Sequence, residues 1–169
     1  MRVDDLKRKV YVDMDDVICD SDKATADING VSVDAVKRAG WDSGYWSSAL
    51  ESGVRRFFAN MEWTGHGKQL LKWFDDKDIP YTILSRPCGP PYTDECIRGK
   101  KIWLQNAGLG NVPALFEFDK SQYADNGNIL IDDLDKNIDS WNAAGGVGIL
   151  YRDSNYDEVI NRLTKILHK

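Results

Sequence analysis

Three acids fall within four positions at Asp13-Met14-Asp15-Asp16, directly after the apolar run Val10-Tyr11-Val12. A buried strand that stops in carboxylates gathers like charges at one sheet edge, and leaving them unpaired is costly. A divalent cation relieves that repulsion, because hard cations take oxygen ligands. The expectation is a Mg²⁺ site at the carboxyl end of this first strand. Asp13 and Asp15 are two residues apart, and residues two apart in an extended chain point the same way. One carboxylate could attack phosphorus and form an aspartyl-phosphate. The other could protonate the leaving oxygen and then activate water.

Further groups with the right chemistry follow later apolar runs. Ser85-Arg86-Pro87 comes after Tyr81 to Leu84 and offers a hydroxyl and a guanidinium to phosphoryl oxygens. Asp119-Lys120 comes after Ala114 to Phe118, and a lysine there could neutralise a transferring phosphoryl group and orient Asp13. Lys100 and Lys101, before Trp103, are competitors for that role. Asp132-Asp133 closes Ile129-Leu130-Ile131, a place for two charges that suits a bound cation.

These residues need a scaffold that brings strand ends together. Five apolar runs read as strands: 9–14, 80–85, 114–118, 128–132 and 147–151. Between them, helical spacing covers His66 to Phe74, Thr93 to Asn106 with Thr93 as N-cap, Lys136 to Ala144, and the last stretch through Tyr156, Val159, Leu163 and Ile166. Alternating strands and helices predict an α/β fold with a parallel sheet, whose ligands bind beyond the carboxyl ends of the strands. The stretch from Asp16 to Ile79 is longer than one crossover needs. It carries its own signals: Ser32 can cap Val33 to Arg38, and Trp46, Leu50, Val54, Phe57 and Met61 recur every three or four residues. The predicted organisation is a core of residues 1–18 and 65–169 with a helical cap inserted at 19–64.

The cap is rich in aromatics: Trp41, Tyr45, Trp46, Phe57, Phe58 and Trp63. Phe57 and Phe58 read as internal packing. Tyr45 and Trp46, at the start of their helix, are candidates to stack a nucleobase. His66, between two glycines, reads as a loop residue.

The formal net charge of −5, with both signs interleaved, argues against binding to extended nucleic acid, which needs a basic footprint. No apolar run is long enough to span a membrane. Met1 to Lys9 is charged and lacks the apolar core of a signal peptide. The three cysteines, Cys19, Cys88 and Cys96, form no CxxC pair, which fits a reducing, cytoplasmic setting.

DxD after the first strand, Ser after the second, Lys after the third and Asp-Asp after the fourth resemble the haloacid dehalogenase-like phosphohydrolase superfamily. Val12-Asp13-Met14-Asp15, Tyr81 to Pro87, the Lys100-to-Trp103 spacing, Phe118 to Ser121 and Leu130 to Asp133 together look like its 5′(3′)-deoxyribonucleotidase family. The resemblance implies a Mg²⁺-dependent phosphatase of (deoxy)nucleoside monophosphates. In it Asp13 is the nucleophile, and Asp15 is the acid/base and also offers a backbone carbonyl to the metal. Ser85 and Lys120 bind the phosphoryl group, with Lys100 as a second positive charge. Asp132-Asp133 completes the metal site, with Asp133 favoured as the direct ligand. Other small phosphometabolites and nucleic-acid 3′-phosphate ends are alternative substrates, and a non-catalytic binding protein of the same fold is a further alternative. Two departures stand out. Asp16 occupies a position where the family usually has glycine, so it is expected in a left-handed or bridge conformation, or capping the first turn of the cap. The family's base-pocket aromatic soon after the DxD is missing around Ser21.

Overall fold

A computed structural model describes residues 8–40 and 42–168. Trp41, and the Met1 to Lys7 part of the charged start, lie outside the described residues. Five strands form one sheet: β1 (Val10–Val12), β2 (Tyr81–Ser85), β3 (Ala114–Phe116), β4 (Ile129–Asp132) and β5 (Val147–Leu150). All neighbours are parallel, in the order β3-β2-β1-β4-β5. Val10, Tyr11 and Val12 pair with Tyr81, Thr82 and Ile83 on one side and with Ile129, Leu130 and Ile131 on the other. β1 is therefore the central strand, and its β-branched and aromatic residues are buried on both faces.

Alternation along the strands divides the core. Val10, Val12, Ile83, Ile129 and Ile131 pack on one face with Leu70 and Phe74 of α5 (Gly67–Asp76), Trp103 and Leu104 of α6 (Thr93–Asn106), and Val159 and Leu163 of α8 (Tyr156–Leu167). Tyr11, Leu84 and Leu130 face the other way, against Trp141 of α7 (Asp135–Ala143). The Trp141 indole N–H donates to the Asn128 carbonyl at 2.8 Å, satisfying a buried polar group where the helix crosses the sheet.

The insert between β1 and α5 holds four helices: α1 (Ser21–Asn29), α2 (Val33–Ala39), α3 (Gly44–Glu51) and α4 (Val54–Ala59). Ser32 caps α2 as expected, accepting from Ala35 N at 3.1 Å. α1 has no counterpart in the sequence reading, because its buried face is Ser21, Thr25 and Ala26 rather than large apolar residues. The recurrence from Trp46 to Met61 is split into α3 and α4 at Ser52–Gly53, where Gly53 has φ 122. That backbone conformation is open to glycine and closes the first helix.

The expected cap at Thr93 is a correction. Tyr92 holds the N-cap position, while the Thr93 hydroxyl donates to the Cys88 carbonyl at 2.8 Å. β3 also ends earlier than predicted, and Lys120 opens a short 3₁₀ turn, Lys120–Tyr123, instead of following the strand directly. His66 stands at the N-cap position of α5, and its ring stacks on Tyr156 at 4.8 Å. Among the described residues no helix is long and apolar enough to cross a membrane.

Candidate active site

The ends of β1, β2 and β4 and the turn beyond β3 meet at one edge of the sheet. Asp13 is the first residue past β1, and its N–H continues the ladder to the Ile131 carbonyl at 3.0 Å. The chain then turns sharply. The Met14 carbonyl accepts from Val17, Ile18 and Cys19 N. Asp16 has φ 60, the left-handed conformation, and its carboxylate accepts from Ser21 N, Ser21 Oγ and Asp22 N at 2.9, 2.6 and 3.1 Å. Both expectations for Asp16 are met together. A short acidic side chain tolerates this backbone and also binds the free N–H groups that begin α1.

Two buried lysines each pair with one of the DxD acids. Lys120 Nζ lies 2.7 Å from Asp13 Oδ1 and 2.7 Å from Asp132 Oδ2. Lys100 Nζ lies 2.7 Å from Asp15 Oδ2, 2.7 Å from Ser85 Oγ and 2.9 Å from the Arg86 carbonyl. Burial works against both ammonium charges, but the adjoining carboxylates hold both lysine pKa values above the ordinary range. Asp15 Oδ1 also accepts from the Cys19 thiol at 3.6 Å. The two lysines are thus partners rather than competitors. Lys101 is exposed and lies over the Phe116 ring.

The two acids after β4 have different surroundings. Asp132 is fully buried and engaged at both oxygens. Oδ1 accepts from Leu134 N and Asn137 Nδ2 at 2.9 and 3.1 Å, and Oδ2 from Lys120 and Asn137. Asp133 has its carbonyl tied to Arg152 Nη1. One carboxylate oxygen each from Asp13, Asp132 and Asp133 lies within 4.8 Å of the others.

The electrostatics reflect this crowding. Burial, then the Asp132 charge, pushes Asp13 up to about 7 against the pull of Lys120. Burial and the charges of Asp13, Asp16 and Asp132 push Asp133 up to about 10. Asp16 rises to about 8, through burial and the nearby Asp22. A carboxylate oxygen of Asp13 and one of Asp133 lie within 4.8 Å of each other, an approach of like charges that a proton or a cation between them relieves. The donor set of hard oxygens therefore fits a divalent cation, with Asp133 less committed to other partners than Asp132.

A cleft of about 610 Å³ opens over these groups. Asp13, Asp15, Lys100, Lys120 and Asp133 line its base. Trp46, Leu50 and Phe58 of the insert form one wall, and Pro87, Cys88 and Gly89 another. Phe57 and Phe58 are buried packing residues, as expected, and Phe58 also lies against the Lys100 ammonium, 5.1 Å from ring centroid to Nζ. Trp46 reaches the cleft, whereas Tyr45 is not among its lining residues; the Tyr45 carbonyl accepts from Asn29 on α1. Arg86 lines the rim with its guanidinium over Phe118 at 5.8 Å, and it is the Arg86 carbonyl that contacts Lys100.

Asn137 was missed in the sequence. It sits in the first turn of the helix that follows Asp132-Asp133, where a helix start directs side chains back to the strand end. That spacing was a usable signal. The Arg152 contact to Asp133 crosses from beyond β5, and nothing local in the sequence announces it.

No protein-family model matches this sequence, and no curated protein is similar to it at a significant level. Solved structures are similar. A hydrolase from Streptococcus pneumoniae TIGR4 aligns at 15% identity over 92% of this chain and 100% of its own, with a TM-score of 0.55. A dehalogenase aligns at 11% identity over 98% of this chain and 99% of its own, with a TM-score of 0.57. A haloacid dehalogenase-like family hydrolase from Streptococcus pneumoniae aligns at 10% identity over 90% of both chains, with a TM-score of 0.53. At these identities the likeness is one of fold: the chain has the Rossmann-like α/β fold of haloacid dehalogenase-like hydrolases.

Proposed function

We propose that this protein is a Mg²⁺-dependent phosphomonoesterase that acts through an aspartyl-phosphate, with a (deoxy)nucleoside monophosphate as substrate. The observation that carries the reading is the double pairing at the cleft base, Asp13 with Lys120 and Asp15 with Lys100 and Ser85, beside an oxygen cluster that fits a cation. Such an arrangement serves phosphoryl transfer, where positioning and charge neutralisation supply most of the catalysis. The described residues within 19–64 would act as the cap, and those within 1–18 and 65–169 as the core.

Asp13, Asp133 and the Asp15 carbonyl would hold the ion, with Asp132 behind them. The bound ion would neutralise charge on the phosphoryl oxygens. Lys120 keeps Asp13 aligned and ionised for attack on phosphorus. Ser85 and Lys100 receive phosphoryl oxygens. A phosphoryl group entering there competes with Asp15 for the Lys100 ammonium, so Asp15 can take the proton of the monoanionic ester and pass it to the leaving alkoxide as the P–O ester bond breaks. Water then attacks the aspartyl-phosphate, Asp15 takes its proton, and Asp13 is released with inorganic phosphate. Trp46, Leu50 and Phe58 give the leaving group an apolar, aromatic wall, which suits a nucleoside. The missing aromatic near Ser21 leaves base selectivity to this wall. The free cysteines suit a cytoplasmic setting.

Phosphate release measured over nucleoside monophosphates, sugar phosphates and a 3′-phosphorylated oligonucleotide tests the substrate. Nucleotides should react best, in a manner abolished by EDTA and restored by Mg²⁺. Release from sugar phosphates alone would transfer the reading to a metabolite phosphatase, and release from none would overturn it. Asp13→Asn should lower turnover by at least about 10³-fold with an unchanged circular-dichroism spectrum, since no second nucleophile replaces it.

A further inference from the structure

Two free thiols border the phosphate-binding loop. Cys88 is half-buried, three residues beyond Ser85, and lines the cleft. Cys96 is fully buried in the first turn of α6, one helical turn before Lys100. Cys88 N donates to Cys96 Sγ at 3.3 Å. The Thr93 hydroxyl holds the Cys88 carbonyl at 2.8 Å, folding the intervening loop back on the helix start. The fold thus sets the Cys96 sulfur directly against the Cys88 backbone.

We propose that Cys88 and Cys96 are an oxidation site, forming a reversible disulfide that slows phosphoryl transfer at the neighbouring Lys100 and Ser85. The pair itself rests on geometry alone; its effect on turnover rests on the phosphatase reading above.

The two sulfurs are suited to different parts. The hydrogen bond from Cys88 holds the Cys96 thiol below the usual range against its burial, and the Lys100 charge adds to this. The same contact pushes Cys88 up. Cys88 faces the cleft and meets the oxidant, a peroxide, and its thiol proton passes to the departing hydroxide as the sulfur attacks. Its sulfur attacks a peroxide oxygen, the O–O bond breaks, water leaves, and Cys88 becomes a sulfenic acid. The Cys96 thiolate attacks that sulfur, the S–S bond forms, the S–O bond breaks, and hydroxide leaves as water after taking a proton. In sum, two thiols lose two electrons and two protons, and one hydrogen peroxide becomes two waters.

A disulfide holds its sulfurs about 2.0 Å apart, closer than thiols in hydrogen-bond contact. Closing it draws the loop after β2 toward the start of α6. The end of β2 supplies the Ser85 hydroxyl and the loop the Arg86 carbonyl, both bound to Lys100, which rides on α6. A misplacement of about 1 Å at such a site can cost on the order of 100-fold in rate.

The test treats the full chain with hydrogen peroxide, then quenches, denatures and alkylates it. Reduced protein should carry adducts at Cys19, Cys88 and Cys96; oxidised protein should carry one, at Cys19, with a peptide linking the other two. Phosphate release should fall at least about tenfold, in line with the cost of displacing a catalytic group, and dithiothreitol should restore it. Binding of inorganic phosphate with Mg²⁺, followed by calorimetry, should weaken in parallel, which reads the distortion without any turnover. Cys96→Ala, a buried position outside the cleft lining, should keep the reduced rate and resist peroxide. Three adducts after peroxide would overturn the site. A bridge that changes neither rate nor phosphate affinity would overturn its consequence. If the reduced protein hydrolyses no substrate, the phosphatase reading fails, while adduct count and phosphate affinity still decide the bridge.

Discussion

At the scale of single residues, what separates Asp132 from Asp133 is who already holds them. Asp132 accepts from Lys120, Leu134 N and Asn137, so it is bonded at both oxygens without a metal. Asn137→Ala would remove the two hydrogen bonds from that amide and loosen Asp132 and, through it, Lys120. Losing hydrogen bonds to a buried charge costs about 1.5–3 kcal/mol, so a melting point several degrees lower and a fall in kcat/KM are expected. An unchanged rate would deny Asn137 a positioning role. The acids also set a pH dependence for metal-depleted protein. Asp13 at about 7, Asp16 at about 8 and Asp133 at about 10 all lie above the ordinary 3.8. A raised carboxyl pKa contributes stability that is complete below the unfolded value and lost as pH rises through the folded one. Chelated protein should therefore melt at progressively lower temperature from pH 6 to pH 9. Added Mg²⁺ should raise the melting point most at the alkaline end, where fewer protons have to be displaced. A melting point independent of pH in EDTA would show that these carboxylates are not held in conflict.

At the scale of elements, the insert is joined to the core by more than its two linkers. α4 packs on α6, and Gly99 is the point of contact. A Cβ there would stand 2.5 Å from the Arg55 carbonyl oxygen and 2.8 Å from Phe58 Cβ. Arg55 and Glu95 pair through two bonds of 2.8 Å, and the Trp103 indole donates to the Met61 carbonyl at 2.7 Å. Gly99→Ala should push α4 away, at a packing cost of about 1–3 kcal/mol. The gain in helix propensity, about 1 kcal/mol, offsets only part of this. Because Phe58 on α4 lies against Lys100, the rate should fall as well as the melting point. A more stable and fully active variant would show that the helices have room to spare.

At the scale of the whole molecule, the insert does not resemble a freely hinged lid. Its two linkers are bonded to each other, Thr64 N to the Ile18 carbonyl at 3.0 Å, Thr64 Oγ1 to the Val17 carbonyl at 2.7 Å, and Asp20 N to the Glu62 carbonyl at 2.9 Å. Asp153, beyond β5, accepts from Gly65 N and His66 N and ties the second linker to the far edge of the sheet. With α4 fixed on α6, opening is left to α1, α2 and α3. Hydrogen exchange should protect α4 as strongly as α6, with faster exchange across α1 to α3. Equal and fast exchange over all four helices would mean that the insert moves as one body.

The parallel α/β architecture was determined by the sequence itself. Apolar strands of five or so residues alternating with amphipathic helices admit few other packings, and polar residues placed just past the strands must meet at one edge of such a sheet. Asp13, Ser85 and Asp132 were legible for that reason, since each sits a fixed distance from a buried strand. Asp16 was legible through the family resemblance, as an acid standing where that family usually has glycine. What the sequence could not decide were relations between distant elements. The spacing of Lys100 and Lys120 left them as rivals, and only the folded chain, which brings Lys100 of α6 to Asp15 and Ser85 and Lys120 to Asp13, gave each its own carboxylate. α1 stayed hidden because its buried face is small and polar, and the break at Gly53 because both helices it separates continue the same apolar rhythm. The contact of Cys88 with Cys96, and the hold of α4 on α6, depend on side chains brought together by folding, which periodicity along a chain does not record.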